Sequence, residues 1–387
     1  MGTNKLIMDF SLKNYQKIVI KIGSSLLVED GKIREKWLNN FALDVAKLSK
    51  ENIEIIIVTS GAVALGRSLL FNNSHQKLTL AQKQACASVG QIKLMSIYHK
   101  IFEKQNLSVA QILLTASDCN ARKRYLNCQN TIKTLLKLKA IAIINENDSI
   151  AVDEIKIGDN DRLASRVAQM VDADLLLLFS DIDGLYDKNP KTNKDAKFIS
   201  QVNKIDSIIE KMAKGSQSKV GTGGMITKIQ AAKMALDSNC STIITSGIED
   251  HALMKLFNGK KKFTIFSNNI SKKTVIKHLT KSKKNWLSGV VNAKAELIIN
   301  QRAGETLKQQ KVSLLAVGVV NIKGDFSKGD VVYIKNEKGQ HIASGVVNYD
   351  KKDAEKILEK NSQEIKKILG KSAKPELVHL DNLFIVS

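Results

Sequence analysis

"KIVIKI", residues 17–22, followed at once by "GSS" at 23–25, decides how the rest of the chain reads. A short apolar run closed by glycine has the length and boundary of a buried strand. Working outward, "EIIIVTS" (54–60), "VAQILLT" (109–115), "AIAIIN" (140–145), "LLLLFSD" (175–181) and "STIITSG" (241–247) repeat the type. Segments of helical periodicity separate them. Leu163, Val167, Met170 and Val171 share one face of a helix after Asp161, and Cys128, Ile132, Leu135 and Leu136 share one face of another. This alternation predicts an α/β fold with a mostly parallel sheet sandwiched by helices, and binding loops at the carboxyl ends of its strands. Polar or glycine motifs follow four of the strands directly, "GSS" at 23, "SGA" at 60, "NEND" at 145 and "SDIDG" at 180, and a site is expected there.

The pattern changes after about residue 268. A charged stretch, 271–284, reads as a solvated linker. Short β-type runs punctuated by Gly-Asp turns follow, then a helix near 351–369, which predicts a small β-rich domain over 285–375 and a C-terminal tail over 376–387. The α/β domain is expected over 1–270, in keeping with the two or three domains that 387 residues suggest.

Composition excludes several classes. No apolar run approaches the roughly 18 residues needed to cross a bilayer, and Asp9 interrupts the apolar cluster of the opening segment, so the expectation is a cytoplasmic protein without membrane attachment. Four cysteines, Cys86, Cys119, Cys128 and Cys240, form no CxxC pair and read as thiols packed as small hydrophobes. The net charge of +22 invites an acidic partner such as RNA, yet the residues from Asn285 onward carry only 16 basic against 12 acidic side chains. The surplus is lysine spread over many short segments rather than one stripe.

Against that basic background, Asn145–Asp161 holds six carboxylates and one lysine. Asp159, Asn160 and Asp161 are placed to cap the next helix. Lys21 is the polar residue at the end of an otherwise apolar strand, and "GTGGMITK" (221–228) puts three glycines before a helix with Lys228 in its first turn. Such a loop lets backbone N–H groups approach phosphates closely. If both lysines face one crevice, Asp161 is suited to fix them, and Asp148 is suited to meet a cationic group on a substrate. "SDIDGLYD" (180–187) has the look of a calcium loop, but it follows a strand and has Thr192 where the twelfth-position Glu belongs, so calcium is not expected there.

"VIKIGSSLL", "IVTSGAVALGR", "RYLN", "INENDSIAVDEIKIGDND" and "GTGGMITK" stand in the order and spacing of the amino acid kinase family. Within it they resemble the members that phosphorylate the side-chain carboxylate of L-glutamate. "LAVGVVNIKGDFSKGDVVYI" and "GQHIASGVVNY" resemble the PUA module that bacterial members append. The resemblance runs from about Lys17 to about Gly370, and it implies roles residue by residue. Lys21 matches the lysine that stabilises the transferring phosphoryl group, Lys228 the one that reaches the ATP phosphates, and Asp161 the aspartate organising both. Ser60, Asp148 and Asn160 match substrate-binding positions, with Gly61 and Asn145 nearby. Gly23, Ser180, Asp181 and the run Gly221, Thr222, Gly223, Gly224, Met225, Ile226, Thr227 and Lys228 match the nucleotide site. Ser24 stands where threonine is frequent, and Ile226 puts a branched side chain where small residues are usual.

The resemblance further implies ATP with nucleotide-bound Mg²⁺, γ-glutamyl phosphate as product, the opening step of proline biosynthesis, feedback by proline, and a homodimer or homotetramer. A carboxylate acceptor with an ordinary pKa of about 4.3 is already ionised at neutral pH, so no general base is needed. Two alternatives remain open at this level. One is a sibling kinase acting on N-acetylglutamate, aspartate or carbamate. The other is an RNA-binding protein led by the C-terminal module, whose aromatics are chiefly Trp286, Phe326, Tyr333 and Tyr349.

Overall fold

A computed structural model of the chain describes residues 15–72, 77–151, 159–214, 224–267, 295–309, 312–370 and 373–385. The chain divides into two compact units, each built on its own sheet. The linker expected at 271–284 lies outside the described residues.

The first unit holds eight strands. Across the sheet they run Gln201–Val202, Thr264–Phe266, Ser241–Ser246, Leu175–Ser180, Lys17–Ile22, Glu54–Val58, Ile141–Glu146 and Val109–Leu114. The last six are mutually parallel. Thr264–Phe266 turns antiparallel to Ser241–Ser246 and pairs in parallel with Gln201–Val202, so the sheet ends in a reversed margin too short to read from periodicity. The six strands expected from the sequence are all present, Lys17–Ile22 with the expected bounds and the other five with ends shifted by one or two residues.

The order sets the position of the site. From Lys17–Ile22 the chain goes next to Glu54–Val58 on one side, and it later returns to Leu175–Ser180 on the other. The reversal opens a crevice at the carboxyl end of Lys17–Ile22, which is where ligands bind in sheets of this kind. The strand's period of two does the rest. Ile18, Ile20 and Ile22 enter a core with Trp37, Phe41, Tyr98, Phe102 and Leu253. Lys21 is left for the opposite face, where the helices Asp159–Val171 and Met225–Leu236 pack. Leu163, Val167, Met170 and Val171 are all buried there, as their spacing predicts.

Two further helices, Ala62–Phe71 and Leu80–Glu103, meet backbone to backbone. A Cβ on Gly66 would lie 1.8 Å from the Cys86 carbonyl oxygen, and one on Gly90 would lie 1.8 Å from that of Ala62. Thr79 starts the longer helix with a capping box, accepting from the Gln82 N–H while the Gln82 side chain accepts from its own.

In the second unit six strands are ordered Leu314–Leu315, Glu376–Ile385, His341–Val347, Val331–Asn336, Ala295–Ile299 and Val319–Gly324. All neighbours are antiparallel except Ala295–Ile299 with Val331–Asn336. Two expectations are corrected here. The helix near 351–369 is two helices, Lys351–Lys356 and Ser362–Leu369, the second opened by an Asn361–Glu364 capping box. The residues set aside as a tail, 376–387, contain the ten-residue strand Glu376–Ile385. It lies between His341–Val347 and Leu314–Leu315, burying Leu377, Val378 and Leu383 in the unit's core. An apolar pattern with charges at Glu376 and Asp381 looks like a solvated end until its two partners are known.

Candidate active site

The strand Lys17–Ile22 delivers Lys21 to the crevice, the helix Met225–Leu236 delivers Lys228 in its first turn, and the helix Asp159–Val171 delivers Asp161 between them. Asp161 Oδ1 is 2.8 Å from Lys21 Nζ, and its Oδ2 is 3.3 Å from Lys228 Nζ. Thr227 completes the set. Its Oγ1 lies 2.7 Å from Asp161 Oδ2 and 2.8 Å from the Gly224 carbonyl oxygen, so two acceptors share one hydroxyl proton. Asp161 is fully buried, and Lys21 and Lys228 are 5 % and 3 % exposed.

Burial by itself would push the Asp161 carboxyl up. The Lys21 and Lys228 charges, with hydrogen bonds from Lys21 and Thr227, override it and hold the group well below the usual carboxylate range. Burial pulls the Lys228 ammonium down; the attraction of Asp161 opposes this, and the like charge of Lys21 adds to it. One carboxylate thus serves two ammonium groups. The excess positive charge lies where screening is weak, and an arriving anion relieves it.

Asp159, Asn160 and Asp161, expected as a cap, are the first three residues of their helix. The Asp161 side chain is spent on partners from other elements rather than on its own helix end. Asn160, one residue earlier, turns to a second, uncharged cluster. Its Nδ2 donates to Ser60 Oγ at 2.9 Å and to Asn145 Oδ1 at 3.2 Å. Asn145 Oδ1 also accepts from the Glu146 backbone N–H at 3.0 Å, and its Nδ2 donates to Gln91 Oε1 at 2.8 Å. Ser60 is held from behind: Thr59 is fully buried, its hydroxyl 3.0 Å from Tyr98 Oη. Gly61 then takes a φ of +102°, a conformation that favours glycine, before the helix Ala62–Phe71 begins.

A cavity of about 270 Å³ adjoins this cluster. Glu146 lines it from the end of the strand Ile141–Glu146, Asn147, Asp148 and Ser149 from the turn that follows, and Ala62 and Gln91 from the two close-packed helices. Asp148 therefore reaches a concave site, three residues beyond Asn145 in the turn that follows the strand.

On the far side of Lys21, a Cβ on Gly23 would lie 3.8 Å from Lys21 Nζ and from the Phe179 carbonyl oxygen, so this turn hugs the ammonium group. Ser180 ends the neighbouring strand and donates to Asp181 Oδ1 at 3.1 Å, and the Asp181 charge is felt at Lys228. Gly224 precedes the helix Met225–Leu236 with no side-chain cap, and the Thr227 N–H turns back to its carbonyl oxygen at 3.1 Å. Met225 is buried there, and Ile226 and Thr227 are half-buried. Gly221, Thr222 and Gly223 lie outside the described residues.

In the loop that looks like a calcium site, Asp183 accepts from Tyr186 Oη and Asp187 from the Lys197 N–H. Burial, with Asp118 nearby, pushes the Cys128 thiol up to about 11, so it is protonated at neutral pH. Among the described residues no helix is long and apolar enough to cross a membrane.

One member of the uncharged cluster carries no signal in the sequence. Gln91 belongs to no motif and meets Asn145 from 54 residues away. Thr227, expected at the nucleotide as part of the glycine loop, turns its hydroxyl to Asp161, a contact that only the pairing of the two helices shows.

Comparison with known proteins gives the family. Residues 16–246 match the model of the amino acid kinase family, and residues 295–369 match that of the PUA domain. The chain is 44% identical over 373 residues to a glutamate 5-kinase of Pelagibacter ubique, covering 96% of this chain and 99% of that one. It is 42% identical over 370 residues to the glutamate 5-kinase of Paramagnetospirillum magneticum, covering 95% and 97%. Among solved structures, the UMP kinase from Ureaplasma parvum aligns at 18% identity and a TM-score of 0.47, covering 66% of this chain and 99% of that chain. The chain therefore belongs to the amino acid kinase family, in its glutamate 5-kinase group, and carries a PUA domain after the kinase domain.

Proposed function

We propose that this chain transfers the γ-phosphoryl group of ATP to the side-chain carboxylate of L-glutamate, giving γ-glutamyl phosphate and ADP, the opening step of proline biosynthesis in the cytoplasm. The observation that carries the reading is the buried Lys21–Asp161–Lys228 cluster, with two ammonium groups on one carboxylate. A carboxylate oxygen of the acceptor attacks the γ-phosphorus, the bond to the β-bridging oxygen breaks, and ADP leaves with that electron pair. The barrier is the approach of an anion to a polyanion, so catalysis is positioning and charge neutralisation.

Lys21 neutralises the group in transfer, Lys228 the nucleotide phosphates, and Asp161 with Thr227 keeps both ammonium groups in place. Gly23, Ser180, Asp181 and the Gly221–Lys228 segment hold the nucleotide. Mg²⁺ would ride on the nucleotide phosphates, where it adds positive charge; a cation that keeps much of its water needs few protein ligands. Ser60, Gly61, Asn145 and Asn160 bind the acceptor, and Asp148 meets its ammonium group, which N-acetylglutamate lacks. Feedback by proline and assembly into dimers or tetramers belong to the same reading.

The test is ATP-dependent hydroxamate formation from L-glutamate, N-acetyl-L-glutamate and L-aspartate, with and without proline. Preference for L-glutamate is expected; better use of the acetylated acid would overturn the assignment.

A further inference from the structure

The amide cluster beside the cavity has a fixed polarity. The Glu146 backbone N–H can only donate, so the Asn145 atom facing it is the oxygen. That leaves Asn145 Nδ2 as a donor, and it donates to Gln91, so the Gln91 atom facing it is Oε1. The remaining end of Gln91 is therefore the NH₂ group. Its Nε2 is buried and has no partner among the described residues, on a residue that lines the cavity. A buried donor left unmatched costs about 1–3 kcal/mol, so such a group is kept where a ligand completes it.

The cavity's walls differ in chemistry. The loop side brings the carboxylates of Glu146 and Asp148. The helix side brings Gln91 and also Ala62, the first residue of the ten-residue helix Ala62–Phe71, whose positive end favours an anion. Acceptors on one wall and donors on the other match a zwitterion.

We propose that Gln91 Nε2 donates to the α-carboxylate of the amino acid substrate, making Gln91 a specificity-determining residue for the α-carboxylate while Asp148 takes the α-ammonium. The inference rests on the glutamate-kinase reading above. It places the amino acid's head in the cavity and leaves the side-chain carboxylate to extend toward Lys21.

The experiment compares L-glutamate with its α-amide, isoglutamine, which keeps the reacting γ-carboxylate, in the wild type and in Gln91→Glu. The substitution retains an oxygen for Asn145 Nδ2 and replaces the free donor by an acceptor. Losing a hydrogen bond to a charged group corresponds to about a ten- to hundredfold weaker interaction. KM for L-glutamate should rise by that factor with kcat nearly unchanged, while KM for the α-amide rises less or falls. Equal effects on the two substrates, or none, would overturn the role of Gln91. Should Gln91→Glu fail to melt cooperatively, Gln91→Met takes its place, and the same narrowing of the preference for L-glutamate over the α-amide is required. A wild type that forms hydroxamate from another acid but not from L-glutamate sinks the functional reading itself; a wild type active on L-glutamate with an unaltered Gln91→Glu sinks only this inference.

Discussion

The lysine end and the amide end of the crevice hang from adjacent strands of one sheet, yet they hold their side chains by opposite means. At the first, three charged groups from three separate elements are taken almost wholly out of water and fixed by mutual attraction. At the second, Ser60, Asn160, Asn145 and Gln91 carry no charge and are fixed by which atom donates to which. Attraction between charges tolerates small displacements, because it falls off slowly with distance. A chain of amides tolerates none, because reversing one member puts two donors or two acceptors face to face. The first arrangement suits moving a phosphoryl group; the second suits telling one small acid from another.

Breaking the ionic end should have the largest consequences. Asp161→Asn leaves two buried ammonium groups without the carboxylate they share, and a loss of about 3–5 kcal/mol in unfolding free energy is expected from urea titration. Next come Lys21→Ala and Lys228→Ala. Each should lower kcat at least about a hundredfold, because one preorganised donor is worth roughly 2.7–4 kcal/mol of barrier. The melting curves should stay cooperative, and a fully active, folded Lys21→Ala protein would remove the mechanism.

A finer test of the same end is Thr227→Val, which deletes the third donor to Asp161 and keeps the shape of the side chain. A fall in kcat of about tenfold is expected, in line with roughly 1.5 kcal/mol for a hydrogen bond to a charged group, with KM for glutamate unmoved. Thr227→Ser should recover most of the activity; if it does not, the hydroxyl is not what matters.

The amide end should answer differently. Asn145→Asp is nearly isosteric but turns the donor facing Gln91 into an acceptor. It should raise KM for glutamate about fivefold, near 1 kcal/mol for one neutral hydrogen bond, and leave kcat alone. A drop in kcat instead would mean that the two ends are not separable.

The mildest prediction concerns acid. The folded-state pKa of Asp161 lies below its unfolded value, so its contribution to stability is complete above the ordinary carboxylate range and is lost as pH falls through the folded value. Stability of the wild type should decline on acidification below about pH 4. In Asp161→Asn that share of the decline should be absent, which pH-dependent urea midpoints would reveal.

The sequence displays these two ends unequally. Lys21 breaks an apolar strand, Lys228 follows a glycine run, and Asp161 opens a periodic helix, so each announces itself within a few residues. The six central strands are readable for the same reason, since burial on both faces makes them continuous apolar runs. Gln91 sends no such signal, because a glutamine beside Gly90 in a helix of 24 residues is ordinary until Asn145 is placed against it. The strand Glu376–Ile385 and the reversed strand Thr264–Phe266 are likewise defined by their neighbours more than by their own composition. Local pattern reports what a residue does to its own segment; it is silent where the partner is remote.

The contact between Gly66 and Gly90 sets a measurement. Because a methyl group fits at neither position, the two helices have no slack, and the serine arm that begins at Ser60 cannot shift without carrying the Gln91 arm along. On the placement of the substrate proposed above, the crevice is a caliper of one opening, which gauges the length of an acid by whether its far end arrives at the ammonium groups. An acid one methylene too short would be gripped properly at its head and still fall short of the phosphorus.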